Sequence, residues 1–195
     1  MTIKELKQLY DKTTHADWVT EPVTDTQYAI EETEDMIIVA FQGSHSKLDW
    51  WQNFMFSKKL YRGSFIFCHR GFGIKWKAVQ DEIMSHIDGS KSIHIRGFSQ
   101  GSALGELMHE DVSYRYGIQS DTILFGKPRV FVMHRKLKGR LSGITRVENG
   151  NDAITKLPFR WMLYKHYGRV IHIGKKRKLF RFSVKDHTTY KENLE

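Results

Sequence analysis

The pentapeptide Gly97-Phe98-Ser99-Gln100-Gly101 constrains this chain more than any other stretch. Before it, Ile93 and Ile95 alternate with polar residues, the period of a half-buried strand; after it, Ala103, Leu104, Leu107 and Met108 recur at helical spacing. A strand must therefore turn into a helix around a single serine. Such a bend forces the serine backbone into a strained conformation and lifts its hydroxyl clear of the chain. Glycines flank it because side chains there would strike the adjoining strand and helix. G-x-S-x-G alone recurs by chance in about one chain of this length in fifteen, so its weight comes from the strand and helix on either side.

The remaining elements alternate. Residues 3–18 predict an amphipathic helix with Ile3, Leu6, Leu9 and Tyr10 on one face, lying across the outside of the domain. Strands are predicted at 28–32 and at 36–41, the second an unbroken apolar run of the kind buried on both faces. It ends in Phe41-Gln42-Gly43-Ser44-His45-Ser46, a polar turn at the carboxyl end of a central strand, where ligand sites of open α/β sheets gather. A strand at 65–68 leads into a helix through Trp76, Val79, Ile83 and Met84, with Cys68 a packing residue rather than a nucleophile. Further on come a strand at 122–126, a helix over 130–137, and a strand at 143–148 that runs into Asn149-Gly150-Asn151-Asp152. A hairpin pairs 170–173 with 179–182 around Gly174-Lys175-Lys176-Arg177-Lys178. The expected fold is α/β, a mostly parallel central sheet flanked by helices with a C-terminal β-hairpin, in one domain over 1–195.

Composition narrows the setting. No apolar run approaches the roughly 20 residues needed to cross a bilayer. The first ten residues lack the apolar centre of a secretory signal, which predicts a cytoplasmic protein or one that leaves by another route. A lone Cys68 rules out an internal disulfide and any site built on several thiolates. The net charge of +9 favours anionic surroundings.

A serine hydroxyl attacks a carbonyl only when a base removes its proton and a carboxylate holds that base in the right tautomer. In hydrolases with this turn the order along the chain is Ser, acid, His. Downstream of Ser99 the aspartates are Asp121, Asp152 and Asp186. Asp152 is preferred because it follows a predicted strand, whereas Asp121 precedes one. Among His109, His134, His166, His172 and His187, the last sits in a loop after the final strand and is the expected base, with His166 its rival. The oxyanion needs two preorganised donors, one from the backbone N–H of Gln100 and one from the turn at Ser44, whose hydroxyl also qualifies.

These residues lie within a wider set. Phe41-Gln42-Gly43-Ser44 with Asp49-Trp50 and Asn53, His69-Arg70-Gly71-Phe72 with Trp76, the serine turn itself, Phe125-Gly126-Lys127-Pro128-Arg129-Val130, Asn151-Asp152 with Leu157-Pro158, and Asp186-His187 with Tyr190 resemble the class 3 (fungal-type) lipases of the α/β-hydrolase fold, in the family's order over roughly 36–190. The resemblance implies nucleophile Ser99, acid Asp152, base His187, oxyanion contacts from Ser44 and Gln100, and a lid after Ser44. The aromatic run KLDWWQNFMF, with Leu48, Trp50, Trp51, Phe54 and Met55, would supply that lid. The family's elbow usually reads Gly-His-Ser-Leu-Gly-Gly; here Phe98, Gln100 and Ser102 replace the His, the Leu and the third Gly, leaving the triad intact.

The reading that follows is a serine hydrolase acting on lipid or other esters through an acyl-enzyme, with no metal or organic cofactor and an oligomeric state the sequence does not specify. A second reading keeps the fold but not the chemistry. In it, the basic residues of the C-terminal hairpin dock to an anionic membrane surface or, ranked lower, to nucleic acid.

Overall fold

In a computed structural model, residues 1–43, 57–62, 65–175 and 182–194 are described. The proposed lid at 47–56, Ser44 and most of the second hairpin strand at 179–182 lie outside them. The described elements are α1 (Ile3–Thr14), β1 (Val19–Glu21), β2 (Thr26–Glu32), β3 (Met36–Phe41), β4 (Lys58–Tyr61), β5 (Ile66–His69), α2 (Arg70–Ser85), β6 (Ser92–Phe98), α3 (Gln100–Tyr116), β7 (Asp121–Phe125), β8 (Phe131–Val132), α4 (Leu137–Arg140), β9 (Ile144–Asn149), β10 (Tyr164–Lys165), β11 (Arg169–Ile173) and α5 (Val184–Thr188).

Seven of these strands form the main sheet in the order β1-β2-β3-β6-β7-β9-β11. From β3 to β11 all pairings are parallel, and only β1 and β2 join antiparallel. A smaller antiparallel sheet, β10-β8-β5-β4, covers residues for which a helix over 130–137 was expected. There Phe131 pairs with Cys68 and Lys165, so cross-strand partners override local helical spacing, and the helix is confined to Leu137–Arg140.

Alternating residues of the parallel strands build two cores. Val39, Phe41, Ile95 and Leu124 face α2 and α3, joined by Trp76, Val79, Ala103 and Leu107. Ile123, Phe125, Val147 and Ile173 face the other way, against Leu6 and Tyr10 of α1 and against Tyr190 and Leu194. Helix α1 starts at a capping box in which Thr2 and Glu5 exchange hydrogen bonds. Of its predicted inner face, Leu6 and Tyr10 are buried, Leu9 is half-buried and Ile3 is half exposed, and the helix ends at Thr14 rather than at residue 18.

Helix α3 is buried almost all round, charges included. Glu106 pairs with Lys127, neither with any exposed side-chain surface. Glu110 accepts from Arg140 at 2.6 Å and lies 3.1 Å from Arg62. Asp111 takes the indole N–H of Trp76 at 3.1 Å, the Arg115 Nε at 2.8 Å, and contacts from Gln80 and Arg62. Burial pushes the Lys127 ammonium down to about 8 and raises the Glu106 carboxyl, so each charge depends on the other. His109 on the same helix bonds Thr122 and Ser120 at 2.8 Å and the Arg140 carbonyl at 3.0 Å.

Candidate active site

The strand register brings the carboxyl ends of β3, β6, β7 and β9 level, with Phe41 opposite Gly97 and Phe98 opposite Phe125. Ser99 follows directly, with φ 55° and ψ −121°. A non-glycine residue in that region costs about 1–3 kcal/mol and persists only where its surroundings hold it. Here the Ser99 N–H donates to the Phe125 carbonyl at 2.9 Å, and Ser102, fully buried, lies 2.7 Å from the carbonyls of both Gly97 and Phe125. Ser102, at the family's third glycine, therefore ties β6, the bend and β7 together. The glycines are steric necessities: a Cβ on Gly101 would sit 2.2 Å from the Phe41 carbonyl oxygen.

The structure brings Ser99, His187 and Asp152 into one hydrogen-bonded line. Asp152 stands just beyond β9, where the Asn149 carbonyl accepts its N–H at 2.9 Å. His187 sits on α5, capped by Ser183, and a bridge between Asp152 and Ser183 holds α5 to the acid's loop. His187 Nδ1 lies 2.8 Å from Asp152 Oδ2, and Nε2 lies 2.7 Å from Ser99 Oγ. A carboxylate can only accept, so Nδ1 carries the proton and Nε2 is left to accept from the serine hydroxyl. All three residues are buried. Asp152 Oδ1 accepts the Ile154 N–H at 2.8 Å, and Oδ2 also takes the Tyr190 hydroxyl at 2.8 Å.

The rival candidates have other partners. Asp121, at the start of β7, binds Arg96 and His94 at the opposite end of the sheet. Asp186 accepts the Asn151 N–H at 2.8 Å and fixes the loop carrying Asp152. His166 donates to the Thr155 carbonyl at 2.7 Å, and burial, with Lys127 and Arg146 nearby, holds it well below its ordinary range. Gln100 opens α3, where the first backbone N–H groups have no acceptor within the helix. Gly43 abuts the nucleophile, a Cβ there falling 3.3 Å from Ser99 Cβ, and Ser44, the other expected oxyanion residue, lies outside the described residues.

Several residues that shape this line carry no catalytic signature of their own. Phe98 stacks on the His187 ring with centroids 5.1 Å apart and planes 16° from parallel. Tyr10 of α1 meets Phe98, Phe125 and Tyr190 at 5.5, 5.2 and 6.1 Å. Gly126, at φ +60°, leaves the space the base occupies, since a Cβ would lie 2.9 Å from His187 Cε1. Tyr190 accepts the Asn149 N–H at 3.0 Å while donating to Asp152, and burial followed by the Asp152 charge raises its phenol well above the ordinary value. Its place three residues after His187 is the signal that sequence reading had for it.

A buried serine bonded to a histidine that is in turn bonded to an aspartate is the arrangement for nucleophilic acyl transfer. The overall fold is similar to that of the Rhizomucor miehei triacylglyceride lipase, at a TM-score of 0.76 and 22% identity over 91% of this chain and 80% of that one. It is also similar to a lipase from Rhizopus microsporus var. chinensis, at 0.64 and 23% over 83% and 61%. At those identities the likeness concerns the fold, which is that of the α/β-hydrolase lipases. The profile of the family described as "Lipase (class 3)" matches residues 38–162, well over half the chain, and the chain belongs to that family.

Proposed function

We propose that this protein is a carboxylic ester hydrolase, triacylglycerol-lipase-like in chemistry, that works through an acyl-enzyme on Ser99. Membership of a lipase family supports lipid ester hydrolysis as the general activity. The observation that carries the finer reading is the continuous 2.7 and 2.8 Å bonding from Ser99 through His187 to Asp152.

In this mechanism Ser99 Oγ attacks the ester carbonyl carbon as its proton passes to His187 Nε2. The imidazolium so formed keeps its Nδ1 proton and donates it in a hydrogen bond to the Asp152 carboxylate, which the donors Tyr190 and Ile154 hold in place. The tetrahedral oxyanion takes the Gln100 backbone N–H and a donor from the turn at Ser44. Collapse breaks the bond to the alcohol, which leaves with the proton from His187. Water then attacks the acyl-Ser99 carbonyl, giving a proton to His187; the acid departs and Ser99 recovers its own. A fluorophosphonate probe and a series of esters of graded chain length test this. Labelling at Ser99 with turnover is expected. Absence of both in the folded protein, with Ser99→Ala indistinguishable from it, would sink the reading.

A further inference from the structure

The charge of this protein is unevenly spread. Residues 153–185 hold ten of the 31 Lys and Arg and none of the 22 Asp and Glu, so the rest of the chain carries 21 cations against 22 acids. The whole positive excess belongs to one stretch, and that stretch leaves Asp152 at one end and reaches α5 and His187 at the other.

The same stretch exposes aromatic rings. Trp161 is 77% exposed and Phe182 is 65% exposed. Both rest on Phe159, a half-buried residue packed against the main core. The Phe159 and Trp161 rings stack at 6.0 Å, and Phe182 meets Phe159 edge-on at 6.5 Å. Phe159 and Trp161 follow from the loop that bears Asp152, while Phe182 immediately precedes Ser183, which bridges Asp152 and caps α5. Single exposed apolar side chains are ordinary. A contiguous aromatic ridge, anchored in the core and built on the two segments that hold the acid and the base, is not, because leaving it in water forgoes burial of large rings.

We propose that this ridge is the surface by which the protein docks on an anionic lipid bilayer, with Trp161 and Phe182 entering the interface and the exposed Arg160, Lys165 and Lys185 of the same stretch meeting the head groups. The occupant is chosen by complementarity: the charge calls for an anionic partner and the rings for one with an apolar layer under its charged face. Nucleic acid satisfies the first and could stack on the rings, but the exposed aliphatic Leu163, two residues along the chain from Trp161, has no counterpart in base stacking. The proposal rests on the lipid-ester reading for its purpose and not for its test.

The experiment uses the full chain carrying Ser99→Ala, to prevent turnover, with sedimentation against phosphatidylcholine vesicles, vesicles containing phosphatidylglycerol, and a DNA duplex. Binding is expected to the phosphatidylglycerol vesicles. Trp161→Ala with Phe182→Ala should weaken it by about tenfold, Arg160→Gln with Lys165→Gln by a similar factor, and added salt should weaken it further. Vesicle binding by either pair of variants equal to that of the Ser99→Ala parent, no binding of the parent to the phosphatidylglycerol vesicles, or binding to the duplex in preference to vesicles, would overturn the proposal. In the active background the aromatic pair should turn over a short water-soluble ester normally yet lose activity on vesicle-embedded ester. If no soluble ester is cleaved by the native protein, the hydrolase reading fails while the vesicle result still stands or falls by itself.

Discussion

Tyr190 donates its hydroxyl to the same oxygen of Asp152 that receives the His187 Nδ1 proton, each at 2.8 Å. One carboxylate oxygen thus takes two donors, and the phenol in turn accepts the Asn149 N–H at 3.0 Å. Tyr190→Phe keeps the buried ring but leaves a backbone donor short of an acceptor and frees Asp152 to rotate. The expected outcome is a loss of about 1–3 kcal/mol of stability. A fall in kcat of roughly tenfold with little change in KM should accompany it, since this interaction orients the acid and touches no substrate. Denaturant unfolding and steady-state kinetics on a soluble ester check both parts. Unchanged kcat would show that the Ile154 and His187 bonds suffice to hold the carboxylate.

Asp152→Asn separates charge from geometry. An amide at this position can donate to Nδ1, which would place the histidine proton on Nε2, where it cannot accept from Ser99. A drop in kcat on the order of 10⁴ is expected with the fold intact. Ser99→Ala should remove turnover to on the order of one part in 10⁶. If Asp152→Asn retained more than a tenth of native kcat, Asp152 would not be the residue that fixes the tautomer.

The ion pair of Lys127 and Glu106, fully enclosed beside the nucleophile's helix, makes a different demand. Removing one partner strands the other charge without water, so Lys127→Met should cost about 3–5 kcal/mol. Lys127→Met combined with Glu106→Leu removes both charges and should recover most of that loss. Chemical denaturation of the two single variants and the double variant reads this directly. A double variant as unstable as the sum of the singles would mean that the pair contributes through packing and not through charge.

That pair also shows where sequence reading runs out. The serine elbow, β3, α2 and the order of Ser99, Asp152 and His187 were legible because each depends on local spacing: alternation, helical period, or a polar turn after a strand. In the structure those three side chains form one hydrogen-bonded line. Glu106, His109, Glu110 and Asp111 gave no such signal. In sequence they are the polar positions of an ordinary amphipathic helix, and only partners drawn from distant segments, Lys127, Arg140, Arg62 and Trp76, make their burial tolerable. Val130 to Leu137 misled for a related reason: helical spacing there is real, but Phe131 finds strand partners in Cys68 and Lys165. Phe98 stood out as a departure from the family's elbow, and its position against the base became visible only when α5 was placed beside it.

The buried His69 and His109, with the half-buried His166, should make the fold less stable in acid. Burial pushes His69 and His109 down to about 4, and His166 well below the ordinary value. In the unfolded chain each takes a proton near 6.5, whereas in the folded protein it stays neutral until much lower pH. Between those values the unfolded state binds more protons. Stability is therefore fully present above about pH 6.5 and falls as the pH drops toward 4. The contribution of His69 and of His109 at the bottom of that range is about 3 kcal/mol each. His109→Gln should lose some stability at neutral pH, since the imidazole bonds Thr122, Ser120 and the Arg140 carbonyl, but should flatten the decline. Denaturant midpoints between about pH 7 and pH 4 measure the slope. A variant that declines as steeply as the native protein would exclude His109 from the acid response and leave it to His69 and His166.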